Sequence, residues 1–543
     1  MSPLARGTEQ ERGVAGPEGS KASWAWYPSR AAVAVGLLAA SLFPLIAWRA
    51  MVRAPPGQVF AGSVSSQEDV CNYLGYAQQI SEGSLLFRNK LTSLEHKPAL
   101  FNLEWTAVGV VSWALGNRPF LAFRIIGVLA TLLFAALVEA WLLDCGLARR
   151  RRLAALLLVF TGGGLGGLAL TSGLTAVLRP YDLLAGFYPF LMVITNPHFV
   201  IGTTLVLAAL RQLARGRVGW GVALCATLAL VRPYDCVLVV AVDAAVVVLS
   251  SRPRGWLRRL APWGWLAPVL AYNAWLFLFN RAYAAFSYGS ASRALNFAPS
   301  LAETALALGP AALLAVTSFA RPAADHSPRL YLALWAITAA AVVFIHPVSF
   351  SLQIGVGMGV PLLVLGAVGL ARMPRGVLET MTLLLSGSLL VLLSAFWLAP
   401  PGLYVPETSR RLAAGQLHDA CRPGQRLLAP RDLGLLAEVY TSCSLYLPYS
   451  LVPEYAERQR DLDGFYGDWS SARRSDLLER ACIDHVVLPR SGDETVAALL
   501  GPDAPFLWRG SVSGTGPALQ VASRSRRCAR AAPDALPSGD RHE

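Results

Sequence analysis

The sequence predicts an α-helical polytopic membrane protein that ends in a small α/β domain. Three observations support this fold class. The 543 residues are 54% hydrophobic and only 15% charged, with a mean hydropathy of +0.46, which is too apolar for a soluble enzyme of this length. Long apolar runs recur as far as Pro400, with basic residues clustered between them. From Pro401 the composition changes to that of a small soluble domain.

The N-terminal residues 1–30 are polar and rich in Gly and Pro, so we expect a disordered cytoplasmic tail. The first apolar run starts too late and is too long for an ordinary cleaved signal peptide, and it is interpreted as an uncleaved span. A span needs roughly 20 apolar residues. On that criterion residues 31–400 form a transmembrane module of about 11 spans, at 31–51, 119–143, 153–171, 190–210, 217–231, 234–250, 260–280, 300–319, 330–346, 351–371 and 377–399.

Two short apolar segments decide this count. Phe101–Gly116 is too short for a full span and is expected to form an interfacial or re-entrant helix. Val218–Val231 is kept separate from the next run at Pro233, because fusing the two would reverse the orientation of everything downstream.

Basic residues set the predicted orientation. If the N-terminus is inside, one side of the membrane receives all the Arg clusters, as the positive-inside rule requires, at 149–152, 211–217, 252–259, 321–329 and 372–375. The net charge of +13 is therefore explained by the Arg clusters that set the topology, and nucleic acid is not an expected partner. The prediction is an inner (plasma) membrane protein with a cytoplasmic N-terminus and a periplasmic C-terminal domain.

The first outward loop, residues 52–118, carries the polar stretch that is most suited to chemistry. If residues 69–81 are helical, Asp69, Tyr73 and Ala77 line one face. A carboxylate in the first turn is favoured by the helix dipole and stays ionised, so Asp69 is a candidate base. The alternative is that Glu68 and Asp69 only cap a surface helix.

Cations follow these acids in the same loop, at Arg88, Lys90, His96 and Lys97. Such groups could bind a phosphate that the carboxylate does not contact. The alternative is a solvated face or one that binds lipid head groups.

The tetrapeptide Arg-Pro-Tyr-Asp occurs twice, beginning at Arg179 and at Arg232, and both copies lie at predicted outer ends of spans. Ionisable residues at membrane depth are costly, so they pair or line a cavity. Each Arg could bind phosphate, or it could pair with the Asp of its own copy, Asp182 or Asp235.

Residues 401–523 form the predicted periplasmic α/β domain, and 524–543 a disordered tail. Buried strands are predicted at Arg426–Pro430 and His485–Pro489, and helices at Asp432–Tyr440 and Ala472–Cys482. No metal-ligand spacing involves the cysteines. A periplasmic location would permit disulfides in three pairings, with free thiols as the alternative, among Cys421, Cys443, Cys482 and Cys528.

Together these residues resemble the GT-C superfamily of integral-membrane glycosyltransferases, particularly the family 39-like branch of protein O-mannosyltransferases and lipid A aminoarabinose transferases. That branch has one span, an outward loop with an Asp-Glu-x-x-Tyr-x-x-x-Ala pattern and a later Gly, and then a Lys/Pro-Pro-Leu element. The sequence departs from the pattern at Val70, in place of the second acid, and at Ala99, in place of the second Pro. The matching positions are Asp69, Tyr73, Ala77, Gly83, Lys97, Pro98 and Leu100, followed by Arg124 early in the next span.

The resemblance implies inverting transfer of a sugar from a polyprenyl-phosphate donor to a glycan, lipid or protein acceptor at the outer membrane face. Asp69 would be the base. No divalent metal is assigned, because Glu68 and Asp69 alone would offer too few ligands for one. Beside the base Asp69, the residues expected to bind substrate or phosphate are Glu68, Tyr73, Arg88, His96, Lys97, Arg179 and Arg232.

Two other functions stay open. One is a transporter or flippase for a glycolipid or similar solute, although transporters usually place ionisable residues near the midplane on broken helices. The other is a catalytically silent GT-C relative that organises an envelope assembly, an alternative that the departures at Val70 and Ala99 keep open.

Overall fold

The computed structural model describes most of the chain, namely residues 28–92, 96–174, 177–184, 186–250, 260–282, 299–320, 327–345, 351–398, 404–447, 455–489, 506–512 and 519–524. Nearly all of the two predicted tails lies outside the described residues, as do the basic residues at 252–259, Arg321 and Cys528.

Most of the described residues before residue 399 are helical. In chain order the helices are α1 (Arg30–Val52), α2 (Gln67–Ser81), α3 (Leu103–Ala114), α4 (Pro119–Asp144), α5 (Arg152–Thr161), α6 (Gly166–Thr171), α7 (Tyr181–Leu184), α8 (Pro189–Thr195), α9 (Pro197–Ala214), α10 (Val218–Ala229), α11 (Pro233–Ser250), α12 (Ala267–Ala282), α13 (Leu301–Val316), α14 (Ser327–Ile345), α15 (Ser351–Ile354), α16 (Gly359–Leu370), α17 (Arg375–Leu385) and α18 (Gly387–Leu398). Short 3-10 helices lie at Arg149–Arg151, Ala261–Leu266 and Thr317–Phe319.

Among the described residues, seven helical stretches are long and apolar enough to cross a membrane, which identifies a membrane protein. They are Arg30–Val52, Pro119–Asp144, Pro197–Ala214, Leu301–Phe319, Pro328–Ile345, Ser351–Leu370 and Gly376–Leu398. Val218–Ala229 is a shorter apolar helix. The predicted count of about 11 spans is therefore not established by these helices.

Two predicted spans are interrupted, each for a visible reason. The span predicted at 153–171 breaks into α5 and α6 at the glycine run, where the N–H of Gly163 donates to the Leu385 carbonyl. A Cβ on Gly164 would collide with the Ala307 carbonyl, so only glycine permits this approach of two backbones. The span predicted at 190–210 is divided at Asn196, whose side chain caps α9 by accepting from the N–H of His198.

The two short apolar segments form separate short helices, and the interfacial or re-entrant placement of the first stays a prediction. Helix α3 has 12 residues and is roughly 18 Å long, too short to span the hydrocarbon core. Helices α10 and α11 are separate, and Arg232 lies between them.

The helical bundle has two chemically different ends, and α4 connects them. Its 26 residues cover roughly 39 Å. Near its start, the Phe120 ring lies 6.5 Å from that of Tyr440 in the C-terminal domain, at what we call the domain end. At its last residue, Asp144 accepts from Arg211 at 2.8 Å and from Arg215 at 2.7 Å. This opposite end, the basic end, gathers the described Arg clusters.

The C-terminal domain is α/β. A two-stranded ribbon of β1 (Gln58–Phe60) and β2 (Tyr404–Pro406) joins it to the first loop. Its elements are β3 (Arg426–Leu428), β4 (Ser444–Leu445), β5 (His485–Pro489), β6 (Phe506–Val512), β7 (Leu519–Arg524), α19 (Glu407–Leu412), a π-helix at Ala413–Leu417, α20 (His418–Ala420), α21 (Arg431–Tyr440), α22 (Tyr455–Tyr466) and α23 (Ser471–Arg480). The main sheet has five strands in the order β4-β3-β5-β7-β6, where β3 pairs in parallel with β4 and β5, and β7 pairs antiparallel with β5 and β6.

Helix α2 shares one hydrophobic core with this domain. Val70 and Leu74 of α2 are fully buried in the same cluster as Leu436 of α21 and Val487 of β5. On its other side α2 packs against α3, and Gly109 allows the approach, because a Cβ there would lie 2.5 Å from the Ala77 carbonyl oxygen. The helix that carries Asp69 is thus held between the membrane module and the C-terminal domain.

Candidate functional site

Helix α2 places Asp69 in its first turn, where the helix dipole favours a carboxylate. Asp69 is half-buried, and Tyr73 lies one turn further along the same face. The Tyr73 ring stacks on Trp105 of α3, with ring centroids 4.3 Å apart. This stack fixes the rotation of α2 relative to α3 and so the direction of the Asp69 face.

A buried acid–base pair lies next to this stack. Nδ1 of His198 donates to Oε2 of Glu104 at 2.6 Å, and both residues are buried. The His198 ring is 5.2 Å from Tyr73 and 5.0 Å from Trp105. The pair therefore continues the polar and aromatic surface that begins at Asp69.

Arg232 and Asp235 form a buried ion pair beside His198. Nε of Arg232 lies 3.2 Å from Oδ2 of Asp235, and its Nη2 donates to the Gln353 carbonyl at 2.9 Å. Asp235 also interacts electrostatically with His198. Gly202 provides the space, since a Cβ there would collide with Arg232. Nη1 of Arg232 is buried and has no hydrogen-bond partner within the described ranges, and the guanidinium also lies 4.9 Å from the centre of the Tyr234 ring.

The two Arg-Pro-Tyr-Asp copies have different surroundings. In the first copy, Asp182 accepts from the N–H of Gly166 at 3.0 Å and from Ser388 Oγ at 2.7 Å. Arg179 is exposed, and its backbone N–H donates to Glu303 at the start of α13. Arg232 therefore forms an ion pair with the Asp of its own copy, Asp235. Asp182 of the first copy instead accepts hydrogen bonds from Gly166 and Ser388 inside the bundle.

Four predicted cations lie on two segments, 87–92 and 96–100, which pair through Phe87 and Leu100 and which we call the cation hairpin. The N–H of Phe87 donates to the Leu100 carbonyl at 2.7 Å, and that of Ala99 to the Phe87 carbonyl at 3.2 Å. Gln79 of α2 clamps the hairpin, accepting from the N–H of Arg88 at 2.9 Å and donating to its carbonyl at 3.0 Å. Thus α2 carries Asp69 at its start and holds the cation hairpin near its end.

The hairpin cations point to different environments. The side chains of Arg88 and Lys97 are exposed and form no hydrogen bond or ion pair with any residue that the structure describes. His96 accepts from the N–H of Asn89 at its Nε2, at 3.1 Å, which ties the hairpin together. Lys90 is buried and enters the C-terminal domain, where its Nζ donates to the carbonyls of Glu438 at 2.5 Å and Thr441 at 2.7 Å.

Glu68, predicted to support Asp69, pairs with Arg431 at the start of α21. Ser442 of the same domain donates to Glu82 at 2.5 Å. Contacts at both ends of α2 therefore bind it to the C-terminal domain.

Glu438 is a buried carboxylate at this contact. It faces Gly75 of α2, where any larger residue would collide with it, and neither carboxylate oxygen has a hydrogen-bond partner among the described residues. Burial raises the pKa of Glu438 to about 7, against the opposing effect of the Lys90 ammonium. Burial, with a smaller effect of Glu438, also raises the pKa of the Cys71 thiol.

The described cysteines do not form a metal centre. Cys421, Cys443 and His485 lie together, but the two cysteines form a disulfide. The His485 nitrogens are hydrogen-bonded to Ser523 at 2.8 Å and to Gln425 at 3.0 Å. This set of side chains does not fit a metal ion. Cys482 is also disulfide-bonded.

Several residues of the site were not predicted from the sequence, namely Gln79, Glu104, Trp105 and Glu438. A usable signal existed for Glu104, because it is the one acid in the apolar helix α3, and a buried acid needs a partner. No comparable signal marked Glu438, whose burial depends on contact with a segment far away in the chain.

No protein-family model matches the sequence, and no curated protein sequence is similar to it. Solved structures do match in fold, and the fold of one of them, the arabinofuranosyltransferase AftD, agrees with the GT-C resemblance predicted from the sequence. The chain thus has the fold of this class of integral-membrane enzymes.

One match is the arabinofuranosyltransferase AftD from Mycobacteria, with a TM-score of 0.51 and 14% identity, over 91% of this chain and 40% of the AftD chain. The chain thus spans about 40% of the length of AftD. ArnT from Cupriavidus metallidurans, bound to undecaprenyl phosphate, gives a TM-score of 0.48 at 15% identity, over 90% of this chain and 97% of ArnT. The Archaeoglobus fulgidus oligosaccharyltransferase gives 0.44 at 11% identity, over 84% and 68% of the two chains.

Proposed function

We propose that the protein is an inverting glycosyltransferase that moves a sugar from a polyprenyl-phosphate-linked donor to a glycan, lipid or protein acceptor at the outer membrane face. The observation that carries the proposal is the arrangement around α2. This one helix begins with a half-buried carboxylate, Asp69, and near its end holds the hairpin with the exposed cations Arg88 and Lys97. The GT-C fold supports the general kind of reaction.

The chemistry needs a base on one side of the anomeric carbon and positive charge on the other. Asp69 would accept the proton of the acceptor hydroxyl while its oxygen attacks that carbon. The bond from the carbon to the phosphate oxygen breaks on the opposite face, and the configuration inverts. The phosphate leaves with its electron pair, so cations suffice to stabilise it and no strong general acid is required.

Three groups of cations are assigned to the donor phosphate. Lys97 and Arg88 on the cation hairpin come first, since their side chains are exposed and the hairpin backbone is fixed by Gln79. Arg232 comes second, and it would contact the donor phosphate through its Nη1. His96 and Arg179 would act at the edge of the site. Tyr73 would contact the sugar, and Glu68 would position α2 through Arg431.

The outer-face location rests on charge and on the disulfide. The basic end of the bundle would face the cytoplasm, as the positive-inside rule requires. The domain end, with the Cys421–Cys443 disulfide, would then face the oxidising side of an inner (plasma) membrane.

The test is sugar transfer by the purified protein from a panel of labelled polyprenyl-phosphate pentoses and hexoses to an envelope extract. We expect Asp69→Asn to lower the rate by about 100-fold or more, the usual contribution of a general base. Glu82→Gln removes an exposed acid at the other end of α2 and should retain the wild-type rate. An unchanged rate in Asp69→Asn would show that Asp69 is not the base.

A glycolipid transporter or flippase is the second candidate. The observation in its favour is the buried group of Glu104, His198, Arg232 and Asp235, because ionisable residues at membrane depth mark solute pathways. Solute flux in proteoliposomes that persists in Asp69→Asn, without sugar transfer by the wild type, would favour it. A cellular phenotype that Asp69→Ala retains would instead favour a catalytically silent role in envelope assembly.

A further inference from the structure

Helices α10 and α11 each contribute one cysteine to the contact between them. Sγ of Cys225 in α10 lies 3.1 Å from Sγ of Cys236 in α11, and 3.8 Å from the Cys236 carbonyl oxygen. Both residues are buried, with exposed fractions of 0% and 1%, among the apolar side chains of the bundle core. In the structure both sulfurs belong to thiols. The two thiols thus face each other across a buried contact between two helices.

The pair lies next to the corner between the two helices, which carries Arg232. Helix α10 ends at Ala229, and α11 begins at Pro233. At about 1.5 Å per residue, each cysteine is within roughly one helical turn of this corner. A bond between the two sulfurs would therefore hold the ends of both helices together beside Arg232.

The same corner is attached to the start of α3. The N–H of Leu103 donates to the Leu230 carbonyl at 3.1 Å. The side-chain amide of Asn102, which caps α3, donates to the Val231 carbonyl at 2.9 Å. Because α3 packs on α2, the two cysteines belong to the domain end of the bundle, which faces the oxidising side of the membrane in the proposed orientation.

The distance between the sulfurs suits a disulfide better than a metal site. A zinc ion bound by two thiolates keeps their sulfurs about 3.8 Å apart, because Zn–S bonds are about 2.3 Å long and the site is tetrahedral. No described His, Asp or Glu joins these cysteines in a set of metal ligands. A disulfide has its sulfurs about 2.05 Å apart, so the observed pair needs to approach by only about 1 Å, which side-chain rotation can supply.

We propose that Cys225 and Cys236 form a disulfide that fixes the corner between α10 and α11 and with it the position of Arg232. The co-reactant is a thiol–disulfide oxidoreductase in its disulfide form. The thiolate of one cysteine attacks the disulfide of this oxidant and releases one of its thiols, and the second cysteine then displaces the oxidant from the mixed disulfide. One S–S bond forms and one breaks. The oxidant takes up two electrons, and the two protons pass to its thiols.

Burial determines when this exchange takes place. Thiol–disulfide exchange requires access to the sulfur, and both sulfurs are buried in the folded protein, so exchange precedes the packing of α10 and α11 into the bundle. The two cysteines are 11 positions apart, so the formation of one helical hairpin is enough to bring them together. In the finished bundle the same burial protects the bond from reductants.

Trapping of thiols in acid-quenched cells tests the proposal on the full-length wild-type protein. The denatured protein is labelled with light maleimide, reduced, labelled with heavy maleimide and analysed as peptides. We expect about tenfold less light label on Cys225 and Cys236 than on Cys71 and Cys145, which are buried thiols of the same chain. Without reduction, the peptides of Cys225 and Cys236 should be joined, with the loss of two hydrogens.

The inference rests on the orientation in the proposed function but not on sugar transfer, and the Cys421–Cys443 disulfide separates the two. Light label on Cys225 and Cys236 at the level of Cys71 would overturn the proposal. If Cys421 and Cys443 carry light label as well, the domain end does not face an oxidising side, and the proposed orientation fails too.

A set of variants tests the role of the bond at the corner. Removal of either cysteine breaks the bond, so Cys225→Ala, Cys236→Ala and the double variant should share one melting temperature below that of the wild type. A further fall from the single variants to the double variant would show two separate thiols that pack independently. That result would also overturn the proposal.

Discussion

Two carboxylates, Asp69 in α2 and Glu438 in α21, have different surroundings. Asp69 is half-buried at a helix start, where backbone N–H groups and the helix dipole stabilise its charge. Glu438 is fully buried against Gly75, its oxygens have no hydrogen-bond partner among the described residues, and its pKa is raised to about 7. The first is suited to act as a base, whereas the second makes the contact between α2 and α21 sensitive to pH.

Stability should depend on pH through Glu438. A folded-state pKa of about 7, above the ordinary 4.5, means that the neutral acid stabilises the fold fully below pH 4.5, and that this contribution is lost as the pH rises through 7. The loss is about 3 kcal/mol from the size of the shift. Thermal unfolding of wild type and Glu438→Gln between pH 4.5 and 8.5 measures it.

In that series we expect the variant to lack this part of the pH dependence and to be the more stable protein above pH 7. Glu82→Gln, which removes an exposed acid at the same interface, should follow the wild type. Parallel curves for wild type and Glu438→Gln would contradict the assignment.

Two lysines of the cation hairpin should give opposite phenotypes. Lys97→Met removes an exposed charge, so we expect a higher KM for the polyprenyl-phosphate donor and an unchanged melting temperature. Lys90→Met removes a buried ammonium with two hydrogen bonds to carbonyls at the end of α21, which should cost about 3 kcal/mol of stability. Steady-state kinetics and thermal unfolding separate the two effects. A loss of stability in Lys97→Met would argue for a structural role instead.

At the scale of elements, the position of α2 depends on close contact with α3. A Cβ on Gly109 would lie 2.5 Å from the backbone oxygen of Ala77, which has no side-chain freedom to move away. We expect Gly109→Ala to destabilise the protein by about 1–3 kcal/mol, as overpacking does.

Gly219 is the matched control for this substitution, since a Cβ there would meet nothing within 4 Å in helix α10. Gly219→Ala should be neutral or stabilise by up to about 1 kcal/mol, because alanine favours the helix. Thermal unfolding of both variants is the measurement, and equal melting temperatures would show that α2 and α3 are less tightly packed than described.

Helix periodicity and turn residues were sufficient to predict α2, α3 and the strand at His485–Pro489, and the placement of the Arg clusters was sufficient to predict the division at Pro233. The break between α5 and α6 was not predictable, because it depends on the approach of Ala307 and Leu385 to the glycine run. The same reason explains the missed site residues. Glu104 and His198 are 94 positions apart, and Lys90 and Glu438 are 348 apart, so only tertiary packing pairs them.

On the scale of the whole molecule, α2 and the C-terminal domain form one hydrophobic core. The Cys421–Cys443 disulfide closes a loop of 22 positions inside that core. Removing both cysteines should cost roughly 3 kcal/mol if the bridge mainly restricts the unfolded chain. Thermal unfolding of Cys421→Ala/Cys443→Ala measures this loss.

Maleimide labelling of unreduced, denatured protein is the companion measurement. In the wild type these two thiols should stay unlabelled until a reductant is added. Labelling of Cys421 and Cys443 without reductant would contradict an oxidising location of the C-terminal domain.

Because Lys90 is inserted into the C-terminal domain, it limits where that domain can be exchanged for the C-terminal domain of another protein. A boundary drawn where the spans end, near residue 400, would separate the ammonium of Lys90 from the carbonyls that receive it. A chimera with a foreign C-terminal domain would then lose one of the two anchors of the cation hairpin and keep only Gln79 of α2, so we expect it to be impaired even if the new domain recognised its acceptor. The exchangeable unit therefore includes the segment from Gln58 to Leu100 together with the C-terminal domain, although about 300 residues of helical bundle separate them in the sequence.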